Sequence, residues 1–378
     1  MGVDIDPFHA ISISKIAYDL KAQGRSIIHM EFGQPSTGAP ARAIEEAKKI
    51  LSAESLGYWE SAPLKKRLCQ HYLDTYGVSV RPGQIAITAG ASAGLVSALA
   101  CRFSAGDTIA MARPGYVSYR NTVKALGMKA LELDCGPENR FSLTAERIAT
   151  LEPAPDGLII ASPANPTGTI MSGEELSALA SVCRERGIAI ISDEIYHGLS
   201  YTRRTHSMLE FEPDAFVINS FSKYFSMAGW RLGWLLAPDA YADKAAAYTG
   251  ILFLTAPSLA QHAALVALDE TDELQGHLET YRANRSLLLK ALPQMGLDEI
   301  APPDGAFYVY ANIERFSDDS MAMCKEILTD TGVVLAPGID FDPENGHRYI
   351  RFSFAVSTAE THEAIARLAP WFKARART

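Results

Sequence analysis

The chain has 378 residues, 48% of them hydrophobic and 21% charged, enough apolar material for a large core split over two domains, which excludes a disordered tail or a fibre. A formal net charge of −9 provides no basic face for a phosphate backbone, so nucleic acid is not an expected partner. Five cysteines without CxxC spacing or a matching histidine pattern point to reduced thiols, with neither a disulfide framework nor a metal site.

The N-terminal stretch "MGVDIDPFHAISISKIAYDL" carries Asp4 and Asp6 and lacks a basic region followed by an apolar run, so no secretory signal is read there. No stretch approaches the roughly 20 apolar residues of a membrane span. A soluble, cytoplasmic protein with no membrane partner is the expectation.

Short apolar runs then read as buried strands: "QIAIT" (84–88), "TIAMA" (108–112), "GLIIA" (157–161), "IAIIS" (188–192) and "AFVINS" (215–220). Most are separated by segments of helical spacing, among them "GLVSALACRF" (94–103) and "GEELSALASVCRERG" (173–187), the latter closed by Gly187. Such alternation predicts an α/β protein with a mainly parallel sheet covered by helices on both faces. "LGWLLA" (232–237) follows the preceding strand too closely for a crossover helix and is expected to run antiparallel. From about residue 280 the pattern changes to a long helix, "YRANRSLLLKALPQM", and two strands, "GAFYVYANI" and "RYIRFSFAV", with a helix between them. The expected division is a large domain over 41–280 and a smaller α+β domain built from 1–40 and 281–378.

Polar residues stand at the ends of those strands, where ligands bind in open α/β sheets because loops and helix N-termini converge there. Asn165 follows "GLIIA", Asp193 closes "IAIIS", Ser220 closes "AFVINS", and "TAGASAG" (88–94) links "QIAIT" to a helix. By itself "TAGASAG" also describes an ordinary small-residue turn. Read functionally, its free backbone N–H groups form an anion site, with Arg231 as a forked second half. In "SFSKYFSMAGWRLGW" (220–234), Lys223 sits among Phe221, Tyr224 and Phe225. Desolvation there lowers a lysine's pKa and keeps more of it nucleophilic near neutrality. A phosphate site, a strand-end acid and a desolvated lysine are together what pyridoxal 5'-phosphate requires.

"SFSKYFSMAGWRLGW", "SPANPTG" and "SDEIYHGL" resemble the signature segments of the class I/II aminotransferases, the fold type I pyridoxal phosphate enzymes of the aspartate aminotransferase superfamily. The similarity runs from "MEFGQPSTGAP" through "GDTIAMARPGYVSYRNTVKALG" to "PPDGAFYVY" and "RYIRFSFA". The resemblance implies a mainly parallel seven-stranded sheet flanked by helices in the large domain. It also implies a ping-pong transfer of an amino group from an L-amino acid to a 2-oxo acid through a Schiff base on Lys223.

Residue by residue, the resemblance implies that Asp193 faces the pyridine nitrogen and that Tyr196 and Asn165 bond the ring's phenolic oxygen. Tyr116 would stack on the ring, while Ala91, Ser92, Ser220, Ser222 and Arg231 would form the phosphate cup. Arg351 would grip the substrate's α-carboxylate, and the backbone of Gly33 would close over it. Tyr58 would reach the phosphate of a neighbouring subunit, making a homodimer the active unit. Here the segment after Tyr58 is about three residues shorter than in the family, with Ala62 where glycine is common. A β-lyase, a decarboxylase or a non-catalytic amino-acid sensor shares much of this constellation, because fold and cofactor do not set the reaction.

Overall fold

The computed structural model describes residues 5–375. In chain order its strands are β1 (Ile28–His29), β2 (Ile85–Thr88), β3 (Thr108–Arg113), β4 (Lys129–Asp134), β5 (Gly157–Ala161) and β6 (Ala189–Asp193). They continue as β7 (Phe216–Ser220), β8 (Gly233–Leu236), β9 (Tyr308–Asn312), β10 (Val333–Val334), β11 (Ala336–Pro337) and β12 (Tyr349–Ser353).

The seven strands β2 to β8 form one sheet in the order β2-β8-β7-β6-β5-β3-β4. All neighbouring pairs are parallel except those of β8, which runs antiparallel to both β2 and β7, as the short connection predicted. Consequently β2, β5, β6 and β7 end at the same edge of the sheet.

Both faces are buried, which explains the unbroken apolar runs. Along β5, Leu158 and Ile160 pack with Leu176 and Leu179 of the helix Gly173–Arg186. Between them Ile159 turns to the opposite face and joins Leu95 and Leu99 of the helix Ala91–Arg102. Strand β4 is not among the runs picked out from the sequence. It lies at the sheet's edge, is largely half-exposed, and its Lys129, Glu132 and Asp134 interrupt the apolar signal.

Helix ends follow local chemistry. Ser172 and Glu175 form a reciprocal capping box at the start of Gly173–Arg186, and Gly187 ends that helix at φ 69°. Ser61 accepts the Leu64 N–H at the start of Ala62–Tyr76.

A second sheet, β11-β12-β9, is antiparallel. Its core joins Phe307, Val309, Ile350 and Phe352 to Ile13 and Ala17 of the first helix, His9–Ala22, and to Leu368 and Phe372 of the last, Thr358–Arg375. A parallel ladder of β1 with β10 ties the N-terminal segment to the same unit. The long helix begins at Thr271, ten residues before the predicted segment, and ends at Ala291. It runs through residue 280, with Leu274 in the core cluster around Trp234 and Tyr281 and Leu288 in the cluster of β9 and β12.

Candidate active site

A cavity of about 480 Å³ opens where the C-terminal edge of the large sheet meets β9 and β12. Every predicted site residue lines it except Ser220 and Tyr58. Ser220 ends β7 as expected, yet its hydroxyl accepts the Ser222 N–H at 3.0 Å, so it shapes the turn before Lys223 from behind. Tyr58 is 85% exposed and stands outside the cavity. Its neighbour Trp59 stacks on His262 at 4.4 Å, and Gln261 holds the Ser61 N–H and the Trp59 carbonyl on either side.

Lys223 faces the cavity rather than bulk solvent, and its ammonium donates to the Gly33 carbonyl. Desolvation, reinforced by the positive charge of Arg351, lowers its pKa from the usual lysine value to about 8, against the opposing pull of Asp193. Asp193, at the end of β6, is pushed the other way, up to about 6, because burial disfavours its charge. Two donors hold its orientation: Tyr119 Oη to Oδ2 at 2.7 Å and the Ile195 N–H to Oδ1 at 3.0 Å. The sequence reading missed Tyr119, whose signal is its position three residues after Tyr116 in "RPGYVSYR", one turn along the helix Val117–Ala125.

At the anion end, the helix Ala91–Arg102 starts after Gly90 with no side-chain cap, so its first backbone N–H groups are free to meet a ligand. Arg231 Nη2 reaches the Ala89 carbonyl at 3.3 Å. A Cβ on Gly90 would lie 2.6 Å from that same nitrogen, and Gly90 has φ 87°. Only glycine permits this close approach of backbone and guanidinium.

At the opposite end, Arg351 on β12 is 1% exposed. Its Nη1 donates to Asn165 Oδ1 at 2.7 Å, Nη2 donates to the Glu31 carbonyl, and Nε has no partner. The guanidinium lies 4.2 Å from the Tyr308 ring and 4.6 Å from that of Phe341. Among the described residues it forms no ion pair with a carboxylate, leaving a buried cation short of a counter-charge. Tyr308, also missed from the sequence, pairs hydroxyl to hydroxyl with Tyr196 at 2.7 Å, and a side chain at Gly33 would collide with that same Tyr308 hydroxyl.

These residues fit pyridoxal phosphate. An uncapped helix start with Arg231 suits a phosphate, Asp193 suits a pyridinium nitrogen, and Lys223 is a nucleophile of lowered pKa. Tyr116, half-buried on the cavity wall and edge-on to Tyr119, offers a face to a planar ring. Arg351, hydrogen-bonded to neutral acceptors alone, suits a carboxylate.

The family model for aminotransferase class I and II matches residues 25–368. A valine–pyruvate aminotransferase from Mycobacterium tuberculosis is 41% identical over 97% of this chain and 96% of its own length. The crystal structure of an aminotransferase from the same organism superposes with a TM-score of 0.95 at 41% identity, covering 98% of this chain and 97% of that one. An aspartate aminotransferase from Thermus thermophilus, solved with maleate, gives a TM-score of 0.90 at 29% identity over 97% of both chains. The chain therefore belongs to the class I and II aminotransferases and, with pyridoxal phosphate, moves an amino group from an amino acid to a 2-oxo acid.

Proposed function

We propose that the preferred amino donors are neutral and monocarboxylic, in the manner of valine, with a small 2-oxo acid such as pyruvate as acceptor. One observation carries this reading. Among the described residues lining the cavity, the arginine and lysine side chains are Lys223, Arg231 and Arg351 alone. With Lys223 assigned to the cofactor aldehyde and Arg231 to its phosphate, Arg351 has charge for one substrate carboxylate and none remains for a second. Phe8, Phe32 and Tyr308 on the cavity wall favour an apolar side chain instead. The M. tuberculosis relative named a valine–pyruvate aminotransferase supports the same choice.

In this reading Arg351 anchors the α-carboxylate with two parallel hydrogen bonds, exchanging neutral acceptors for a charged one. Bound pyridoxal phosphate supplies an aldehyde that condenses with amines and a ring that withdraws electron density from the substrate's α-carbon. Asp193 would hold a proton at the ring nitrogen, and Tyr119 and the Ile195 N–H keep Asp193 aimed. Lys223, neutral above about pH 8, would take the proton from the substrate's Cα onto its Nζ and hold it there for return. Tyr196 and Asn165 would hold the ring's phenolic oxygen, Tyr116 would support its face, and Ala91, Ser92 and Ser222 would share the phosphate with Arg231. Gly33 closes over the substrate, its carbonyl released from Lys223 once that amine is engaged.

A homodimer belongs to the same proposal, with Tyr58 reaching the neighbouring phosphate. Support comes from the exposed apolar side chains Leu51, Leu56, Ile251, Leu252 and Leu254 together with Tyr58 itself. Sedimentation equilibrium returning the monomer mass would remove this part. A cytoplasmic setting is also proposed, supported by five unpaired cysteine thiols.

The deciding experiment is a single-turnover screen of amino donors followed by cofactor absorbance. Valine and alanine are expected to react at least about tenfold faster than aspartate, because a second buried carboxylate would lack a partner. Aspartate matching or exceeding valine overturns the donor class.

A further inference from the structure

The chain's first described turn is held in place more firmly than an N-terminal segment needs for its own sake. On one side of Phe8, Asp6 Oδ2 accepts from Arg120 Nε at 3.0 Å and Lys124 Nζ at 3.2 Å, while the Asp6 backbone exchanges two hydrogen bonds with the Asn121 amide. On the other side, the Asp340 carboxylate accepts the His9 N–H at 2.7 Å and the Ala10 N–H at 2.8 Å, capping the first helix from 331 and 330 residues away. Arg120 closes the clasp by donating to the Asp340 carbonyl at 3.1 Å. Between these anchors Phe8 lines the active-site cavity, with Ser118 and Thr122 of the helix Val117–Ala125 also on its wall.

Phe8 packs against the cluster of Phe141, Tyr310 and Phe341, and Phe341 carries the guanidinium of Arg351 on its ring. A donor fixed by its carboxylate at Arg351 and by its nitrogen near Lys223 retains one direction in which its side chain can vary. We infer that Phe8, clasped between Asp6 and Asp340, is the wall that limits the length of the donor side chain. The inference deepens the donor class proposed above and rests on it. Phe8 meets the donor through its variable group, so its substitution changes discrimination between donors more than it changes the chemistry common to them.

The test measures kcat/KM for alanine, valine and phenylalanine with Phe8→Ala, Phe8→Leu and Phe8→Trp, together with calorimetric affinities for the 2-oxo acids of valine and phenylalanine. Phe8→Ala is expected to raise the phenylalanine-to-valine ratio by about tenfold or more, Phe8→Leu less, and Phe8→Trp to lower it. The 2-oxo acid affinities should move in the same sense. Asp6→Asn, which keeps Phe8 and weakens its clasp, should shift the ratio in the direction of Phe8→Ala by a smaller factor.

A ratio unchanged within about twofold across the Phe8 variants, or a uniform fall for all donors, would reduce Phe8 to core packing and overturn the inference. Phe8→Leu retains apolar bulk against Phe141 and Phe341 and carries the test if Phe8→Ala unfolds. Aspartate outpacing valine in the unsubstituted protein sinks the donor class, whereas the ratios among neutral donors still decide the role of Phe8.

Discussion

Two regions meet at the cavity, and they treat charge differently. At the edge of the large sheet, Asp193 and Lys223 both shift toward their neutral forms, to about 6 and about 8, and Asp193 already has its donors in place. On the small antiparallel sheet, the guanidinium of Arg351 is buried, and its acceptors are an amide oxygen and a backbone carbonyl. The first region holds its acid ready-oriented and suits a resident group. The second lacks a negative charge and suits a transient one that brings it.

Removing the reactive amine should break the first region most completely. Lys223→Ala is predicted to lower turnover by ~10⁴-fold or more, and borohydride reduction with pyridoxal phosphate should leave no cofactor mass on the peptide around residue 223. Turnover within tenfold of the unsubstituted chain would mean that another base performs the proton transfer.

Next in size is the second region. Arg351→Met is expected to reduce kcat/KM for valine by about 10²- to 10³-fold, through loss of a buried charge-assisted contact. Arg351→Lys should restore little of this, since an ammonium lacks the two-pronged geometry. Arg351→Met also reports on coupling between the regions. Because the Arg351 charge helps to lower the Lys223 pKa, its removal should move the pH midpoint for borohydride trapping at Lys223 above about 8. A midpoint that stays put would show the two regions to be electrostatically independent.

The smallest effect is expected from Tyr119→Phe, with kcat falling less than about tenfold because Asp193 keeps the Ile195 N–H. The Tyr119 hydrogen bond favours the charged carboxylate, so its loss should raise the Asp193 pKa further above about 6. In the cofactor-free protein, Asp193 keeps its proton when folded between its ordinary value near 3.8 and about 6, so this contribution to stability falls as pH rises through that window. Thermal melting from pH 4 to 8 should show the window extending upward in Tyr119→Phe. An unchanged melting profile would remove Tyr119 from the tuning of Asp193.

The buried strands of the large sheet were legible because both faces are covered and their residues are almost all apolar. Strand β4 was not, since an edge strand with Lys129, Glu132 and Asp134 carries no such run. Lys223 and Asp193 stood out because a charge within or ending an apolar strand or loop is locally conspicuous, whereas Arg351 was named through the resemblance of "RYIRFSFA" to the aminotransferases. Tyr119 and Tyr308 did not, because an aromatic in an apolar neighbourhood looks the same whether it fills a core or lines a site. The hydroxyl of Ser220 shows the converse: a polar residue at the correct strand end that turns to a backbone N–H instead of the cavity.

Residue order and polarity alone determined the succession of buried strands in the large sheet, the antiparallel turn of β8 and the kinds of side chain delivered to the sheet edge, since these depend on neighbours a few positions apart. Tertiary structure decided which of them meet: Arg351 with Asn165 across 186 residues, Tyr308 with Tyr196 across 112, and Asp340 with the backbone N–H groups of the first two helical residues, His9 and Ala10. It also decided their charge. Desolvation depends on what surrounds a group in space, and a linear order of residues does not contain that quantity.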